Sequence, residues 1–201
     1  MQATTHSAAY EGGFESPVFG AQAAFRSVMD AMARPGTIVD LAEPVSAPAP
    51  LETAAAAFLA ALADYDSPVW FEVEDAEAAI AWVEFQTGAP VMADPQQAAF
   101  AVLARGSAVT DWRRFSTGTS SYPDASATLL LPVEALEGGA ELILTGPGIE
   151  TQARIAPRGL PAGFVAAMQA NAALYPLGLD ILLVCGSRVS ALPRTTRLTE
   201  V

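Results

Sequence analysis

The sequence predicts an α/β fold with a mixed sheet and flanking helices. Segments whose apolar residues recur at three- and four-residue spacing alternate with short apolar runs of strand composition. The last long run, Asp180–Cys185, is almost wholly apolar, as a strand covered on both faces should be. The 201 residues contain no internal repeat and no long linker, so we expect one domain, residues 1–201, with residues 1–12 as a disordered N-terminus.

The first predicted helix begins at Pro17, because Ser16 suits the N-cap and proline suits the first helical position. It should end at Arg34, since the following proline disfavours a helical conformation in the residue before it. The apolar residues of the helix form one stripe, which predicts that Phe25 lies in the core. The stripe consists of Val18, Ala21, Gln22, Phe25, Met29 and Met32.

Three more helices and seven strands are predicted. The helices are an alanine-rich one over Thr53–Ala63, one that Asp75 caps and that carries Ala79, Trp82, Val83 and Phe85 on one face, and a last one over Pro161–Leu174. The strands, with their apolar and β-branched composition, are Thr37–Leu41, Pro68–Val73, Ala99–Ala104, Ala127–Val133, Glu141–Thr145, Asp180–Cys185 and Arg188–Leu192. A Glu-Gly-Gly connection predicts that Ala127–Val133 and Glu141–Thr145 are neighbouring buried strands. The proline-rich segment Glu43–Pro50 should be an extended loop.

The charge of the chain is one-sided. Ten arginines, no lysine and 22 acidic residues give a formal net charge of −12. Such a chain repels the phosphates of nucleic acids and of anionic lipids, so no nucleic-acid or membrane partner is expected. The sequence has no secretory signal, and its longest apolar run, Ala54–Ala63, is about half the roughly 20 residues that a membrane helix needs. We therefore expect a soluble cytoplasmic protein.

Few side chains are available for catalysis or for metal binding. A single cysteine, Cys185, cannot form an internal disulfide, a cysteine-ligated zinc site or an iron–sulfur cluster. A single histidine, His6, disfavours a Ser-His-Asp relay, and the lack of lysine excludes a Schiff base. We expect no metal site and no cofactor. Whether the chain is an enzyme stays open, although the composition favours a protein that is not catalytic alone.

Two arginines and a hydroxyl-rich loop form the first candidate contact with an anion or a partner. Arg113 and Arg114 precede the loop Ser116–Ser121, and guanidinium groups match the geometry of tetrahedral oxyanions. The loop residues concerned are Ser116, Thr117, Gly118 and Thr119. A solvated loop and a loop that contacts a partner remain open interpretations.

The second candidate region combines a glycine turn with the end of the chain. The turn Gly146-Pro147-Gly148 follows a buried strand and could offer N–H groups to an anion, although a plain strand-ending turn explains it as well. Arg194, Thr195 and Thr196 give a local positive spot that could bind a ligand or dock on an acidic surface. Asp180 is a candidate buried acid or a structural hydrogen-bond acceptor.

Six sequence blocks follow one another in a distinctive order. They are Gly13–Val39, Leu62–Trp70, Phe85–Pro90, Ser116–Leu131, Leu144–Ile149 and Tyr175–Thr196. The most specific pieces are Gln-x-x-Phe-Arg…Met…Pro-Gly in the first block and Pro-Leu-Gly-x-Asp…Pro-Arg-Thr-Thr in the last. In this order the blocks resemble PhnH, the family of H subunits of the bacterial carbon–phosphorus lyase system, over nearly the full chain.

The resemblance implies a fold similar to that of the pyridoxal-phosphate-dependent transferases, but lacking the cofactor. It implies a homodimer that joins the G, I and J subunits in the core complex of the system. That complex, with a further subunit, couples an alkylphosphonate to the ribose of ATP, and a radical-SAM partner then cleaves the carbon–phosphorus bond. The family has no assigned catalytic residues. The missing lysine and the single cysteine agree, since an aldimine needs a lysine and a radical-SAM cluster needs several cysteines.

Two positions depart from the family pattern. Gln86 stands where the family usually has the histidine of a Phe-His-Thr sequence, so a role for an imidazole there fails in this chain. Asp124 follows Pro123 where the family usually has glutamate.

Three hypotheses about function remain open. The first is an accessory subunit of the phosphonate-cleaving assembly. The second is a small-anion binding module that acts on its own and holds phosphonate or a nucleotide phosphate. The pocket of the second would be formed by Arg113, Arg114, Arg194, Arg197 and Gly146-Pro147-Gly148. The third is an enzyme that uses Asp180 and Asp124 for acid–base work.

Overall fold

Two β-sheets organise the residues that the computed structural model describes, which are residues 11–41, 45–73, 75–108 and 112–201. The helices are α1 (Pro17–Ala33), α2 (Thr53–Leu62), α3 (Glu77–Thr87) and α4 (Phe164–Ala172). The strands are β1 (Ile38–Asp40), β2 (Val69–Phe71), β3 (Phe100–Val102), β4 (Thr128–Pro132), β5 (Leu142–Thr145), β6 (Ala153–Ile155), β7 (Asp180–Cys185), β8 (Arg188–Leu192) and β9 (Arg197–Glu200). The segment predicted to be disordered, residues 1–12, lies outside the described residues except for its last two. Among the described helices, none combines the length and the apolar character that crossing a membrane requires.

The larger sheet has six strands in the order β1-β8-β7-β4-β3-β2. Strands β2, β3, β4 and β7 form a parallel run, whereas β8 and β1 are antiparallel to their neighbours. The predicted α/β class with a mixed sheet is therefore confirmed. Strand β7 lies between β4 and β8 and its middle residues are buried, as its almost wholly apolar sequence predicts.

Side chains of the larger sheet alternate between two cores. Leu129 in β4 pairs with Ile181 in β7, and both face one core. Leu130 pairs with Leu182, and both face the other core. Helices α1, α2 and α3 cover the face of Leu130, while α4 and the smaller sheet cover the face of Leu129. The predicted flanking helices thus lie on both faces of the sheet.

The smaller sheet is antiparallel and has the strand order β6-β5-β9. The prediction that Ala127–Val133 and Glu141–Thr145 are neighbouring strands is wrong, because β4 belongs to the larger sheet and β5 to the smaller one. Strands β6 and β9 are not predicted by the sequence pattern. Each has one buried apolar residue, Ile155 and Leu198 respectively, which is too few to produce a recognisable alternation.

Helix α1 begins where the sequence predicts and ends next to Arg34, but it turns a different face to the core. Its buried residues are Gly20, Ala24, Val28 and Ala31. On the predicted stripe, by contrast, Phe25 is 46% exposed and Met29 is 50% exposed, so the placement of Phe25 in the core is wrong. The inner face has little room: a Cβ added at Gly20 would lie 2.8 Å from the ring of Phe14. Small residues therefore face inward and large ones face outward.

Helices α3 and α4 begin later than predicted. Ala76, and not Asp75, occupies the N-cap position of α3. Trp82 and Val83 are buried as predicted, but Phe85 is 56% exposed, because residues two positions apart do not share a helix face. Helix α4 starts at Phe164 because the preceding glycine adopts a left-handed conformation that separates the first predicted residues from the helix.

A carboxylate beyond the end of β2 fixes the loop that follows β3. Glu72 accepts hydrogen bonds from the Ala104 N–H at 2.9 Å and from the Arg114 guanidinium at 2.7 Å. The Ser107 hydroxyl faces the same carboxylate, although its geometry falls short of a normal hydrogen bond. Burial by itself raises the pKa of Glu72, but the hydrogen bonds and the charge of Arg114 outweigh it, so the pKa lies below the ordinary value of 4.5.

Replacing Glu72 with glutamine should lower the free energy of unfolding by about 2 kcal/mol at neutral pH, because hydrogen bonds to a charged group are lost. The folded pKa lies below the unfolded one, so the stabilisation is present above the unfolded pKa and is lost as the pH falls through the folded value. Urea unfolding across this pH range should therefore show that the difference in free energy of unfolding between wild type and E72Q becomes smaller below the ordinary glutamate pKa. E141Q is the matched control, because the ion pair of Glu141 with Arg154 is exposed and should contribute little. A difference that is the same at every pH would contradict the assignment.

Candidate functional site

Arg194 is the centre of the best-connected polar cluster among the predicted residues. Its backbone N–H donates to Oδ1 of Asp180 at 2.8 Å, and its guanidinium binds both oxygens of that carboxylate. The guanidinium also donates to the carbonyl oxygen of Pro123 at 2.7 Å and to the Ser126 hydroxyl. The side chains of Arg194 and Asp180 are only 15% and 14% exposed. We call these four residues the Arg194 tie.

The Arg194 tie connects three segments that are distant in the sequence. Asp180 is the first residue of β7, Ser126 shortly precedes β4, and Arg194 follows β8, so the tie lies at the amino end of the parallel strands β4 and β7. Of the two roles considered for Asp180, this geometry favours the structural acceptor. Because the donors of Arg194 are directed at protein atoms, the same geometry favours a structural role for Arg194 over direct contact with a ligand.

The hydroxyl-rich loop bonds largely to itself. The Ser116 hydroxyl donates to the carbonyl oxygen of Ala125 at 2.8 Å. The backbone groups of Thr119 and Tyr122 donate to each other at 3.0 and 3.1 Å, and the Thr119 hydroxyl accepts from the Tyr122 N–H. Two of the predicted hydroxyls are therefore bonded to the backbone of residues that shortly follow the loop, Ala125 and Tyr122.

Two further residues attach the loop to its surroundings. Gly118 has a φ of +80°, and a Cβ added there would lie 2.7 Å from the carbonyl oxygen of Pro123, so both the conformation and the close approach require glycine. The carbonyl oxygen of Thr117 accepts from the Gly178 N–H at 3.0 Å, just before β7. The loop is therefore held at two places, against Pro123 and against the segment that precedes β7.

Arg114 lies at the opposite end of the parallel strands. Besides binding Glu72, its guanidinium carbon lies 5.3 Å from the ring centroid of Trp70 and 4.9 Å from that of Phe115. Glu72 follows the carboxyl end of β2, whereas the Arg194 tie lies at the amino end of β7. The structure therefore separates Arg114 from Arg194.

A first cleft opens between the hydroxyl-rich loop and helix α4. It has a volume of about 270 Å³. We call it the Arg113 cleft, and its lining residues are Trp112, Arg113, Thr117, Ala167, Ala170, Asn171, Leu174 and Leu179. Asn171 holds its wall together by exchanging two hydrogen bonds of 2.8 Å with the backbone of Leu179. The indole N–H of Trp112 is buried without a hydrogen-bond partner among the described residues.

A second cleft lies beside the last turn of α4 and the glycine turn. It has a volume of about 490 Å³. We call it the Arg197 cleft, and its lining residues are Thr145, Gly146, Pro147, Ala172, Tyr175, Thr195 and Arg197. Gly146 permits the close approach of the chain end, because a Cβ there would lie 2.9 Å from the carbonyl oxygen of Thr195. Two predicted regions, the glycine turn and the Arg-Thr-Thr block, therefore meet in this cleft.

Besides Arg194, two predicted residues of those regions line neither cleft. Gly148 packs beneath the end of α1, where an added Cβ would lie 2.2 Å from the carbonyl oxygen of Ala33. Thr196 is only 1% exposed, and its hydroxyl has no partner among the described residues. Neither is placed to contact a ligand in these clefts.

The four arginines of the single-pocket hypothesis do not share a cavity. Arg113 and Arg197 line different clefts, and Arg114 and Arg194 bind carboxylates outside both. The acid–base hypothesis also finds little support in the geometry, because Arg194 binds the Asp180 carboxylate. Within the described ranges, no group of three or more histidine, cysteine or acidic side chains could hold a metal ion.

Several cleft residues escape the sequence analysis. Thr145, Tyr175 and Asn171 belong to predicted elements or to their ends, but no motif marks them as site residues. Their position beside Arg197 or Arg113 depends on how α4 packs against the smaller sheet and the hydroxyl-rich loop. The only signal available is the polarity of Thr145 at the end of an apolar strand.

Replacing Asp180 with asparagine should lower the free energy of unfolding by about 3 kcal/mol, since a largely buried guanidinium loses its charged partner. The matched control is E137Q, because Glu137 is 71% exposed and forms only a 3.6 Å ion pair with Arg188. Its loss should change stability by less than about 1 kcal/mol. Chemical denaturation of both variants measures the difference. If D180N and E137Q were equally stable, the Arg194 tie would not have the structural role assigned to it.

Known proteins resemble this chain along nearly its whole length. Residues 12–199 match the family described as bacterial phosphonate metabolism protein (PhnH). The chain is 45% identical over 196 residues to the alpha-D-ribose 1-methylphosphonate 5-triphosphate synthase subunit PhnH of Rhizobium meliloti (strain 1021), which covers 97% of this chain and 98% of that protein. It is 30% identical over 177 residues to the putative C-P lyase subunit protein HtxG of Stutzerimonas stutzeri, which covers 88% of this chain and 85% of that protein. The resemblance carried by the six blocks is confirmed, and the chain belongs to the PhnH family of bacterial phosphonate metabolism proteins.

Proposed function

We propose that the chain is a non-catalytic or accessory subunit of the carbon–phosphorus lyase core complex and is needed for phosphonate catabolism. Its partner subunits couple an alkylphosphonate to the ribose of ATP, and a radical-SAM partner then cleaves the carbon–phosphorus bond. One observation carries the proposal: 45% identity over 97% of the chain to a protein named as a subunit of alpha-D-ribose 1-methylphosphonate 5-triphosphate synthase.

The state of the carboxylates supports an accessory role. Asp180 is bound by Arg194, and Glu72 is bound by Arg114 with a lowered pKa. An arginine that occupies the oxygens of a carboxylate leaves that carboxylate badly placed to exchange a proton with a substrate. The sequence has no lysine for an aldimine and one cysteine. We therefore assign the chemistry to the partner subunits.

The outer face of α1 supports a role in assembly. The α1 stripe consists of Val18, Gln22, Phe25 and Met29, and Asp30, the acidic residue exposed on the same helix, is paired with Arg34. In a chain with a net charge of −12, such a face is where a second copy meets little electrostatic repulsion, and large exposed apolar side chains favour a covered surface. We propose that the isolated chain forms a homodimer through the α1 stripe.

Three finer points of the proposal follow from the family resemblance. The partners in the core complex are the G, I and J subunits, and the assembly is cytoplasmic. The fold is similar to that of the pyridoxal-phosphate-dependent transferases without the cofactor.

Co-expression of this chain with the G, I and J subunits should yield one complex that co-purifies through a tag on any of the four. The control is the same co-expression without this chain. The remaining complex should then lack the band of this chain and have a lower mass. Size-exclusion chromatography with light scattering measures both. If this chain remained separate while the other three subunits assembled, the proposed function would be wrong.

Replacing Phe25 with glutamate should shift the isolated chain from dimer to monomer, because it places a charge on the apolar face that the second copy covers. The matched control is Y65E, since Tyr65 is 75% exposed but lies in the loop after α2. Light scattering over a concentration series measures the dimer fraction. If F25E left the dimer intact but abolished co-purification with the other subunits, the α1 stripe would be a contact for them and its assignment as the dimer interface would be wrong.

A further inference from the structure

The arginines of this acidic chain are mostly used in ion pairs. Six of them bind a carboxylate within the described residues: Arg34, Arg105, Arg114, Arg154, Arg188 and Arg194. Arg113 also has a partner. In the same part of the chain, Arg26, Arg158 and Arg197 form no ion pair and no side-chain hydrogen bond. Because 22 acidic residues compete for ten arginines, an arginine without a partner is notable.

The Arg197 cleft lacks the acidic residues that line other cavities. Its seven lining residues include one arginine and no carboxylate. Three other cavities of the described chain are lined in part by Glu200, by Glu137 with Glu141, and by Glu11. In a chain with a net charge of −12, a cleft free of carboxylates around an unpaired guanidinium offers an anion a locally favourable site.

Several hydrogen-bond donors line the cleft together with Arg197. Thr145 lies directly opposite Arg197 in the pairing of β5 with β9, so the two side chains are neighbours on one face of the smaller sheet. The hydroxyls of Tyr175 and Thr195 belong to the same lining. The Gly146 N–H takes part in no hydrogen bond within the described residues. These groups come from three separate segments, and a tetrahedral oxyanion could accept from several of them together.

We propose that the Arg197 cleft binds a tetrahedral oxyanion of the phosphonate and phosphate class with a small organic substituent. A volume of about 490 Å³ is within the usual range for small-ligand sites, and Ala172 and Pro147 offer apolar wall to a short alkyl group. Arg197 supplies the charge and a forked donor geometry that matches two of the oxyanion oxygens. The choice of an alkylphosphonate as the preferred member of this class rests on the proposed function.

The Arg113 cleft fits this ligand class less well. It is about 270 Å³ in volume, and most of its lining residues are apolar. Arg113 already has an interaction partner in the protein. An anion there would have to compete for the guanidinium, whereas Arg197 is available.

The experiment is calorimetric titration of the purified full chain with methylphosphonate, inorganic phosphate and ATP. We expect saturable binding of methylphosphonate at millimolar concentration or tighter, and binding of phosphate as well. R197Q should weaken methylphosphonate binding about 10- to 100-fold, the equivalent of losing hydrogen bonds to a charged group. R158Q is the matched control, because Arg158 is also exposed and unpaired but lines a different cavity together with Glu200, and it should leave the affinity unchanged.

Each other result overturns the proposal. These results are no saturable binding of methylphosphonate, saturation by ATP alone, an equal loss in R197Q and R158Q, or unchanged affinity in R197Q. An unfolding curve of R197Q that coincides with wild type confirms that the loss is local, as expected for an exposed side chain. Co-purification of R197Q with the G, I and J subunits tests the two proposals separately. If R197Q still assembles but no longer binds methylphosphonate, both proposals stand. If R197Q still assembles and binds methylphosphonate with unchanged affinity, only the proposed ligand site in the Arg197 cleft is contradicted.

Discussion

The ion pair between Arg194 and Asp180 is the contact on which the amino end of the larger sheet depends. Strand pairing places the start of β7 beside the start of β4 and the end of β8, and Arg194 adds side-chain bonds between the segments that flank these strand ends. The two clefts lie on either side of it, one lined by Thr117 and the other by Thr195. Thr195 follows Arg194 and Leu179 precedes Asp180 in the sequence, so the ion pair fixes the backbone next to one lining residue of each cleft. A guanidinium in this position determines where other donors lie without contacting a ligand itself.

The net charge of −12 gives a consistent account of how the arginines are used. A folded chain with such an excess of carboxylates lowers its self-repulsion when arginines are placed beside the carboxylates that are hardest to solvate. Glu72 and Asp180 are the clearest examples, because each is largely buried and each has an arginine within hydrogen-bonding distance. An arginine left without a carboxylate, such as Arg197, then stands out as a group kept for something other than internal neutralisation.

The sequence predicts what local signals determine. The first residue of α1 follows from Ser16 and Pro17, and the central place of β7 follows from its continuous apolar run. It does not predict which face of α1 is buried, because hydrophobicity favours Phe25, whereas the inner face is crowded by Phe14 where Gly20 lies. The sequence analysis finds the hydroxyl-rich loop and the Arg-Thr-Thr block as motifs. Which of their residues belong to the Arg194 tie and which line a cleft depends on tertiary packing, which residue spacing does not reveal.

The position of the clefts is unusual for a sheet with a parallel run, where ligands normally bind beyond the carboxyl ends of the strands. In this chain that end is occupied by internal contacts of two carboxylates. Glu72 binds Arg114 and the Ala104 N–H, and Glu52 binds Arg105 and accepts from the Gly186 N–H at 2.6 Å. An oxyanion approaching there would meet negative charge and no free donor among these groups. The amino end, where the Arg194 tie neutralises Asp180 and no carboxylate lines the clefts, is the electrostatically better edge for a phosphonate.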